Sequence, residues 1–260
     1  IGGYTSAVLL LYFGISPFVG FLVGAVTAAL FAAAIGRLIV RLQGPYFSIT
    51  TLLVALIVAL IVRNTPALGG TTGLWLPFPE VSIEVNRALF YWLMLGLAVA
   101  ATGVAAWIEN SKLGCGLVAL RQNEQVAEAA GIDTTGLKFR TLIISAALTG
   151  AVGGAYAYLR SYFSPDIAFD LNITVTLFLM ALFGGCRTWK GPVIGAAVLW
   201  VVAETLTVTV GDEIARIAYG LSLVAVVVFL PDGIIGLLAR KNGAARPKEE
   251  EAVSPRVQSG

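Results

Sequence analysis

The chain has 260 residues, of which 58% are hydrophobic and only 12% charged, with a mean hydropathy of +0.87. A soluble domain carries about twice that charged fraction, so the excess apolar surface requires lipid and the chain reads as a polytopic membrane protein. A net charge of +2 suggests no nucleic-acid partner, and the absence of histidine argues against zinc, haem or non-haem iron chemistry.

Ile1 stands inside an apolar run with no charged segment ahead of it. The sequence is therefore expected to be truncated at its N-terminus, with membrane sequence upstream and no signal peptide. Tyr4–Phe13 reads as the tail of a span, broken at Gly14 and Pro17. Phe18–Ile35 is the next span, with Gly20 and Gly24 spaced to let helix backbones approach. Arg37 and Arg41 follow it. Gly44-Pro45 restarts a helix, because proline costs nothing in a first turn whose N–H has no partner. Tyr46–Val62 is the third span. Arg63–Arg87 is a loop rich in Gly and Pro, including Gly69, Gly70, Gly73, Pro77 and Pro79. Loops longer than about 12–15 residues are usually functional or disordered, and a docking role is favoured over a plain connector. Ala88–Ile108 is the fourth span, anchored at the interface by Tyr91 and Trp92.

Ser111–Arg140 is then a polar island between apolar blocks, with Lys112, Arg121, Lys138 and Arg140 set against Glu124, Glu128 and Asp133. Thr141–Leu159 is the fifth span, with Gly150, Gly153 and Gly154 on a packing face, and Arg160–Leu171 is a short loop. Asn172–Phe183 is apolar, but its roughly 18 Å of helix is short for a bilayer core of about 30 Å. Gly184–Pro192 punctuates the chain. Val193–Val210 and Ile214–Leu230 are the last spans, ended by Pro231 and Gly233, and Arg240–Gly260 reads as a disordered tail.

Alternating the spans puts every Lys and Arg except Arg63, Arg87, Arg160 and Arg216 on one side, which makes that side the cytoplasm. The insert and the C-terminus are then inside, and the loops Arg63–Arg87 and Arg160–Leu171 face outward. Cys115 and Cys186 both fall on the cytoplasmic side, so no disulfide is expected. A re-entrant Asn172–Phe183 would invert the later spans, but Arg187, Lys190, Arg240 and Lys241 fit a crossing. The expected fold is an all-α bundle of about eight spans with one cytoplasmic coupling helix. Residues 1–239 form the transmembrane domain, including the loop 111–140, and residues 240–260 form the cytoplasmic tail.

No G-x-x-x-x-G-K-[ST] loop occurs, so the chain is not expected to hydrolyse ATP, and neither H-E-x-x-H nor G-x-S-x-G is present. Glu204 is the only carboxylate well inside a span. Such a group is a functional candidate by default, but the plainer reading, a boundary carboxylate bonded to Thr205, Thr207 or a neighbouring helix, is favoured. Within the insert, Leu113, Leu117, Leu120 and Val126 recur at near-helical spacing, and Ala127, Ala129 and Ala130 continue the pattern. Asn110 or Ser111 caps the start and Gly131 the end, giving one helix of about five turns over Leu113–Ala130. A lipid-anchoring helix would carry more Lys and Arg, with Trp or Phe on its buried face. Arg121-Gln122-Asn123-Glu124-Gln125 is too polar and too balanced in charge for that, so a protein partner is expected.

Ala119–Asp133 (ALRQNEQVAEAAGID) resembles the cytoplasmic loop of permease subunits of branched-chain amino acid ABC importers, the Liv-type family. Gly44-Pro45-Tyr46-Phe47-Ser48-Ile49 with Thr51-Leu52, and Leu68 to Leu74, are similar to further stretches of that family. So are Ile1 to Thr5, Ser164-Pro165, and the run from Gly184-Gly185 through Thr188 to Gly191-Pro192-Val193-Ile194-Gly195-Ala196. The matches keep the family's order as far as about Pro231, and within it they resemble the M-type permease. Thr176 stands where the family often has an acid, and Arg187 where it usually has glycine.

The resemblance implies a non-enzymatic transport subunit of a bacterial or archaeal cytoplasmic membrane, with no cofactor of its own. Two ATPase subunits bind the ATP, a second permease completes the pathway, and an extracytoplasmic binding protein delivers the amino acid. It implies ATPase coupling through Leu117, Leu120, Arg121, Asn123, Glu124, Glu128 and Gly131. Thr50, Thr51, Asn172, Thr174, Thr176 and Glu204 become pathway candidates, with helix–helix hydrogen bonding as their plainer role. Gly69, Gly70, Thr71 and Gly73 become the outward docking loop. Relatives of this shape also import urea, short amides or aromatic acids. An ATP-independent channel or ion-driven carrier is the competing class, against which the sparse intramembrane charge speaks. An integral membrane enzyme is disfavoured by the lack of any catalytic cluster.

Overall fold

The structure, a computed structural model, describes residues 1–210 apart from 43, 78–81, 161 and 187. The expected span Ile214–Leu230, the break at Pro231, the tail Arg240–Gly260 and the residues Arg187 and Arg216 lie outside the described residues. The described chain is mostly helical. By its contacts it divides into two units, Ile1–Leu171 and Asn172–Gly260.

In the first unit, α1 (Gly2–Phe13), α2 (Pro17–Ile39), α3 (Pro45–Arg63) and α4 (Ile83–Glu109) are followed by the shorter α5 (Lys112–Gln122) and α6 (Glu124–Ala129), then by α7 (Thr134–Arg160) and the single turn α8 (Pro165–Ala168). In the second, α9 (Leu171–Gly184) leads to α10 (Lys190–Val210). Among the described residues, five stretches are long and apolar enough to cross a membrane: Pro17–Ile39, Pro45–Arg63, Glu84–Glu109, Thr134–Arg160 and Pro165–Gly184. Gly2–Phe13 is apolar but shorter.

Helix ends differ from the apolar runs in a consistent direction. α4 already includes Glu84 and Arg87, and α7 begins at Thr134, so Thr134–Arg140 is the start of a span rather than a link into it. Hydropathy marks only the part of a helix that lipid demands, and backbone hydrogen bonding continues into polar sequence. The short Asn172–Phe183 segment likewise gains length from what precedes it. α9 has 14 residues, and with α8 the apolar run from Pro165 reaches 20.

The core of the first unit is the contact of α7 with α1 and α2, built on glycines. A Cβ on Gly2 would lie 2.1 Å from the Gly150 carbonyl oxygen, one on Gly24 would lie 2.8 Å from the Gly2 oxygen, and one on Gly150 would lie 2.4 Å from the Ala28 Cβ. Three backbones therefore meet where each helix supplies a glycine, the usual way to gain dispersion contacts where lipid removes the hydrophobic drive. α2 and α7 run antiparallel along their length, with Phe21 against Gly154 at one end and Gly36 against Leu142 at the other.

The expected all-α fold needs one correction. Strands β1 (Leu74–Trp75) and β2 (Tyr162–Phe163) pair antiparallel, with Leu74 opposite Phe163 and Trp75 opposite Tyr162. Gly69, Gly70 and Gly73 all adopt positive φ, so the chain after α3 doubles back through conformations that glycine takes without strain. The pairing seats buried Leu74, Leu76 and Phe163 with Tyr4, Ala7, Val62 and Ala157 in one apolar cluster. It also sets the end of α3 beside the end of α7. The α5–α6 insert precedes α7, a helix of 27 residues and so about 40 Å, and therefore lies at its opposite end.

In the second unit, α9 and α10 meet with backbones touching. A Cβ on Gly184 would fall 1.7 Å from the Gly191 oxygen, and one on Gly195 would fall 2.0 Å from the Met180 oxygen. Cys115 and Cys186 are both exposed and not joined in a disulfide.

Candidate functional site

The insert is two helices rather than the single five-turn helix expected from its periodicity. Asn123 is extended at φ −160°, ends α5 and starts α6. Its Oδ1 accepts hydrogen bonds from the Gln125 and Val126 backbone N–H groups at 3.0 and 3.2 Å, satisfying donors that a helix start leaves open. The extended residue resets the register. Val126, on the expected apolar stripe, is 63% exposed, while Ala127 is 4% exposed and faces inward. Ser111 caps α5 by accepting from Gly114 N–H. Gly131, at φ 83°, closes α6 as expected, with Ile132 N–H donating to the Ala127 oxygen at 3.0 Å.

Replacing Asn123 with alanine removes the cap of a helix of only 6 residues. The expected cost is about 1 kcal/mol, or about fivefold in local opening. Hydrogen exchange should quicken at residues 125–129 and stay unchanged in α5.

α6 is held to the first turns of α7 by its own acids. The Lys138 ammonium pairs with the Glu124 carboxylate, and both side chains are largely sequestered, at 23% and 27% exposure. Thr134, buried, donates its hydroxyl to Glu128 Oε1. Asp133 Oδ1 accepts from Gly136 N–H at 2.8 Å and starts α7. Gly116 of α5 abuts the Leu137 side chain. The insert and the start of α7 are therefore joined by ionic, polar and apolar contacts at once. In the sequence Lys138 was only one of the island's four cations, with no partner assigned, and Thr134 was not singled out. The signal was a lone lysine and a threonine just beyond an acidic helix, with nothing local to pair them.

Of the expected coupling residues, Arg121, Asn123, Glu128 and Gly131 are exposed, and Glu124 is half-buried in its ion pair. Leu117 lines an apolar cleft of about 460 Å³ with Val40, Phe47 and Leu142, while Leu120 is half-buried. The open face of the insert carries Val118, Arg121, Gln122, Gln125 and Val126.

The pathway candidates divide between the units. Thr50 and Thr51 are half-buried on α3, where the Thr51 hydroxyl donates to the Ser48 oxygen of its own helix. Asn172 and Thr176 share a face of α9, and Thr174 lies off it. Glu204 is exposed on α10, where Thr205 donates to the Val201 oxygen of its own helix.

At the other end of the first unit, the expected docking loop is an ordered turn. Thr72 donates to the Gly69 oxygen, Tyr162 OH to the Thr72 oxygen and Tyr12 OH to the Ala67 oxygen. Arg63 pairs with Asp166 across the same end. Thr71 is exposed, and Trp75 packs against Tyr162 with the rings tilted at 45° and its own ring open to the surroundings.

A helical, multi-pass membrane protein with a polar two-helix elbow between spans is the class that this geometry defines. The profile of the family described as branched-chain amino acid transport system / permease component matches residues 1–229, and the chain belongs to that family. It is 28% identical over 284 residues to the high-affinity branched-chain amino acid transport system permease protein LivM of Escherichia coli K12, covering 96% of this chain and 65% of the relative. It is 26% identical over 237 residues to the probable branched-chain amino acid transport permease protein LivM of Methanocaldococcus jannaschii, covering 79% and 68%. The probable LivH permease of the same archaeon is 23% identical over 255 residues, covering 91% and 80%. The chain thus spans about 65% of the length of the enterobacterial LivM proteins. No solved structure matches it.

Proposed function

We propose that this chain is the M-type permease subunit of an ABC importer for branched-chain or other small amino acids in the cytoplasmic membrane. The match to one permease family over residues 1–229 carries this reading. In it, ATP is bound and hydrolysed by two separate ATPase subunits, a second permease completes the pathway, and an extracytoplasmic binding protein delivers the solute. The permease domain comprises residues 1–239 and about eight spans, with the C-terminal tail and the insert in the cytoplasm.

The α5–α6 elbow is the coupling element, and its open face, centred on Arg121, Asn123 and Val126, meets the ATPase. A short capped elbow fixed to a long span suits this task, because alternating access needs a rigid lever on a bistable bundle. The turn at Gly69, Gly70, Thr71 and Gly73 receives the binding protein. Thr50, Thr51, Asn172, Thr174, Thr176 and Glu204 line the route of the solute.

The test is reconstitution of the whole complex in proteoliposomes. Leucine uptake should require ATP and the binding protein, and should fall at least tenfold when Arg121 and Glu124 are both replaced by alanine, with membrane insertion unchanged. Uptake by this chain alone under an ion gradient would overturn the reading.

A further inference from the structure

We propose that the start of α7 and the cations around it bind the phosphate of an anionic phospholipid headgroup. Two neighbouring clefts open there. One, of about 440 Å³, is lined by Lys112 and Arg140, and the other, of about 220 Å³, by Arg37 and Arg41. Both clefts share Asp133 and Gly136, so they flank the same helix start.

The charge balance around that start is uneven. Lys138 is paired with Glu124, and Arg121 also has a partner. Arg37, Arg41, Lys112 and Arg140 are exposed, and among the described residues none of them reaches a carboxylate. Asp133 is the one acid lining either cleft, and its Oδ1 is engaged by Gly136 N–H. The excess of positive charge on this side accounts for which end these residues occupy. It does not account for their gathering unpaired at two clefts that share one helix start.

The height of the cluster selects the ligand. Arg37 lies in the last turn of α2, a 23-residue apolar span, and Arg140 lies in the second turn of α7, so both sit where a span leaves the hydrocarbon. Lipid phosphates occupy that level. Guanidinium groups bind phosphate oxygens in bidentate fashion, and basic pockets between spans recruit anionic headgroups. The half-buried Phe139 also lines the smaller cleft, offering apolar surface beside the cations. The site holds irrespective of what the spans carry.

The test uses the chain purified with its partner subunits and returned to nanodiscs containing spin-labelled phosphatidylglycerol or phosphatidylcholine. Phosphatidylglycerol should be retained at least tenfold over phosphatidylcholine. The variant with Arg37→Gln, Arg41→Gln, Lys112→Gln and Arg140→Gln should lose that preference, at about fivefold per cation for the first ones removed. Arg37→Lys with Arg41→Lys and Arg140→Lys should keep most of it and shows that the fold tolerates change there. Arg63→Gln with Arg160→Gln, at the opposite end, should leave it intact. Millimolar inorganic phosphate should not displace the lipid. Equal retention of the two lipids, an unchanged preference in the quadruple variant, or full displacement by inorganic phosphate would each overturn the proposal. So would loss of the partner subunits from the quadruple variant with the lipid preference intact, which would make the cluster a protein contact.

Discussion

Gly150→Val is expected to abolish the folded protein, and Gly103→Ala to leave it unchanged. Both glycines lie inside long apolar helices. A Cβ on Gly150 would stand 2.6 Å from the Gly24 oxygen and 3.3 Å from the Ala25 Cα, so α2 and α7 would have to separate. Separation would also release Gly2, whose own Cβ position falls against the Gly150 backbone. Overpacking on this scale costs about 3 kcal/mol, a large part of the stability of an ordinary domain. At Gly103 nothing lies within 4 Å of the added carbon, and alanine is the better helix former. Size-exclusion profiles and thermal melting in detergent separate the two outcomes. Equal behaviour of the two variants would remove the glycine junction from the account of the fold.

Lys138→Met is expected to leave the assembled complex hydrolysing ATP while uptake per ATP falls about tenfold. The ion pair with Glu124 is a main link between α6 and α7, and its two side chains are less than a third exposed. An exposed pair contributes up to about 1 kcal/mol, whereas stripping a partner from a sequestered one costs more. A loss near 1.4 kcal/mol changes the share of linked molecules about tenfold. Glu124→Lys alone should be worse, because it sets two cations against each other. Combining Glu124→Lys with Lys138→Glu should restore uptake, a rescue that a purely structural defect elsewhere would not show. Equal loss of ATP hydrolysis and uptake would instead mean that the pair supports assembly.

The membrane class and the order of the five candidate spans among the described residues were legible because lipid allows little else than long apolar helices. Helix ends were not, since Thr134–Arg140 is polar enough to read as a link yet hydrogen-bonds as helix. The insert was legible as a capped polar element, and Ser111 and Gly131 act as expected. Its break was not, because Leu113, Leu117, Leu120 and Val126 continue a helical stripe across Asn123, a residue equally at home as a cap. The glycines at 69, 70 and 73 announced a turn, but its partner strand lies beyond α4, α5, α6 and α7 in sequence, and such non-local pairing leaves no local pattern. The Glu124–Lys138 link, 14 residues apart and across the end of α6, left no local pattern either. Gly24 of α2 and Gly150 of α7 were read as packing residues, but Gly2 of α1 was not, and the structure joins all three in one junction.

The central claim is that the α5–α6 elbow is where the ATPase acts. It is tested most directly by site-directed cross-linking in the full complex, with Cys115 and Cys186 first changed to serine. Val126→Cys and Gln125→Cys, each labelled with a maleimide–benzophenone whose photoactivated ketone inserts into a neighbouring C–H bond, should each cross-link to the ATPase subunit, and the cross-link should halt uptake. Trp75→Cys, at the opposite end of the first unit, should cross-link to the binding protein and never to the ATPase. Labelled elbow positions that capture no ATPase in a complex that contains it, or an ATPase captured at Trp75, would contradict the account.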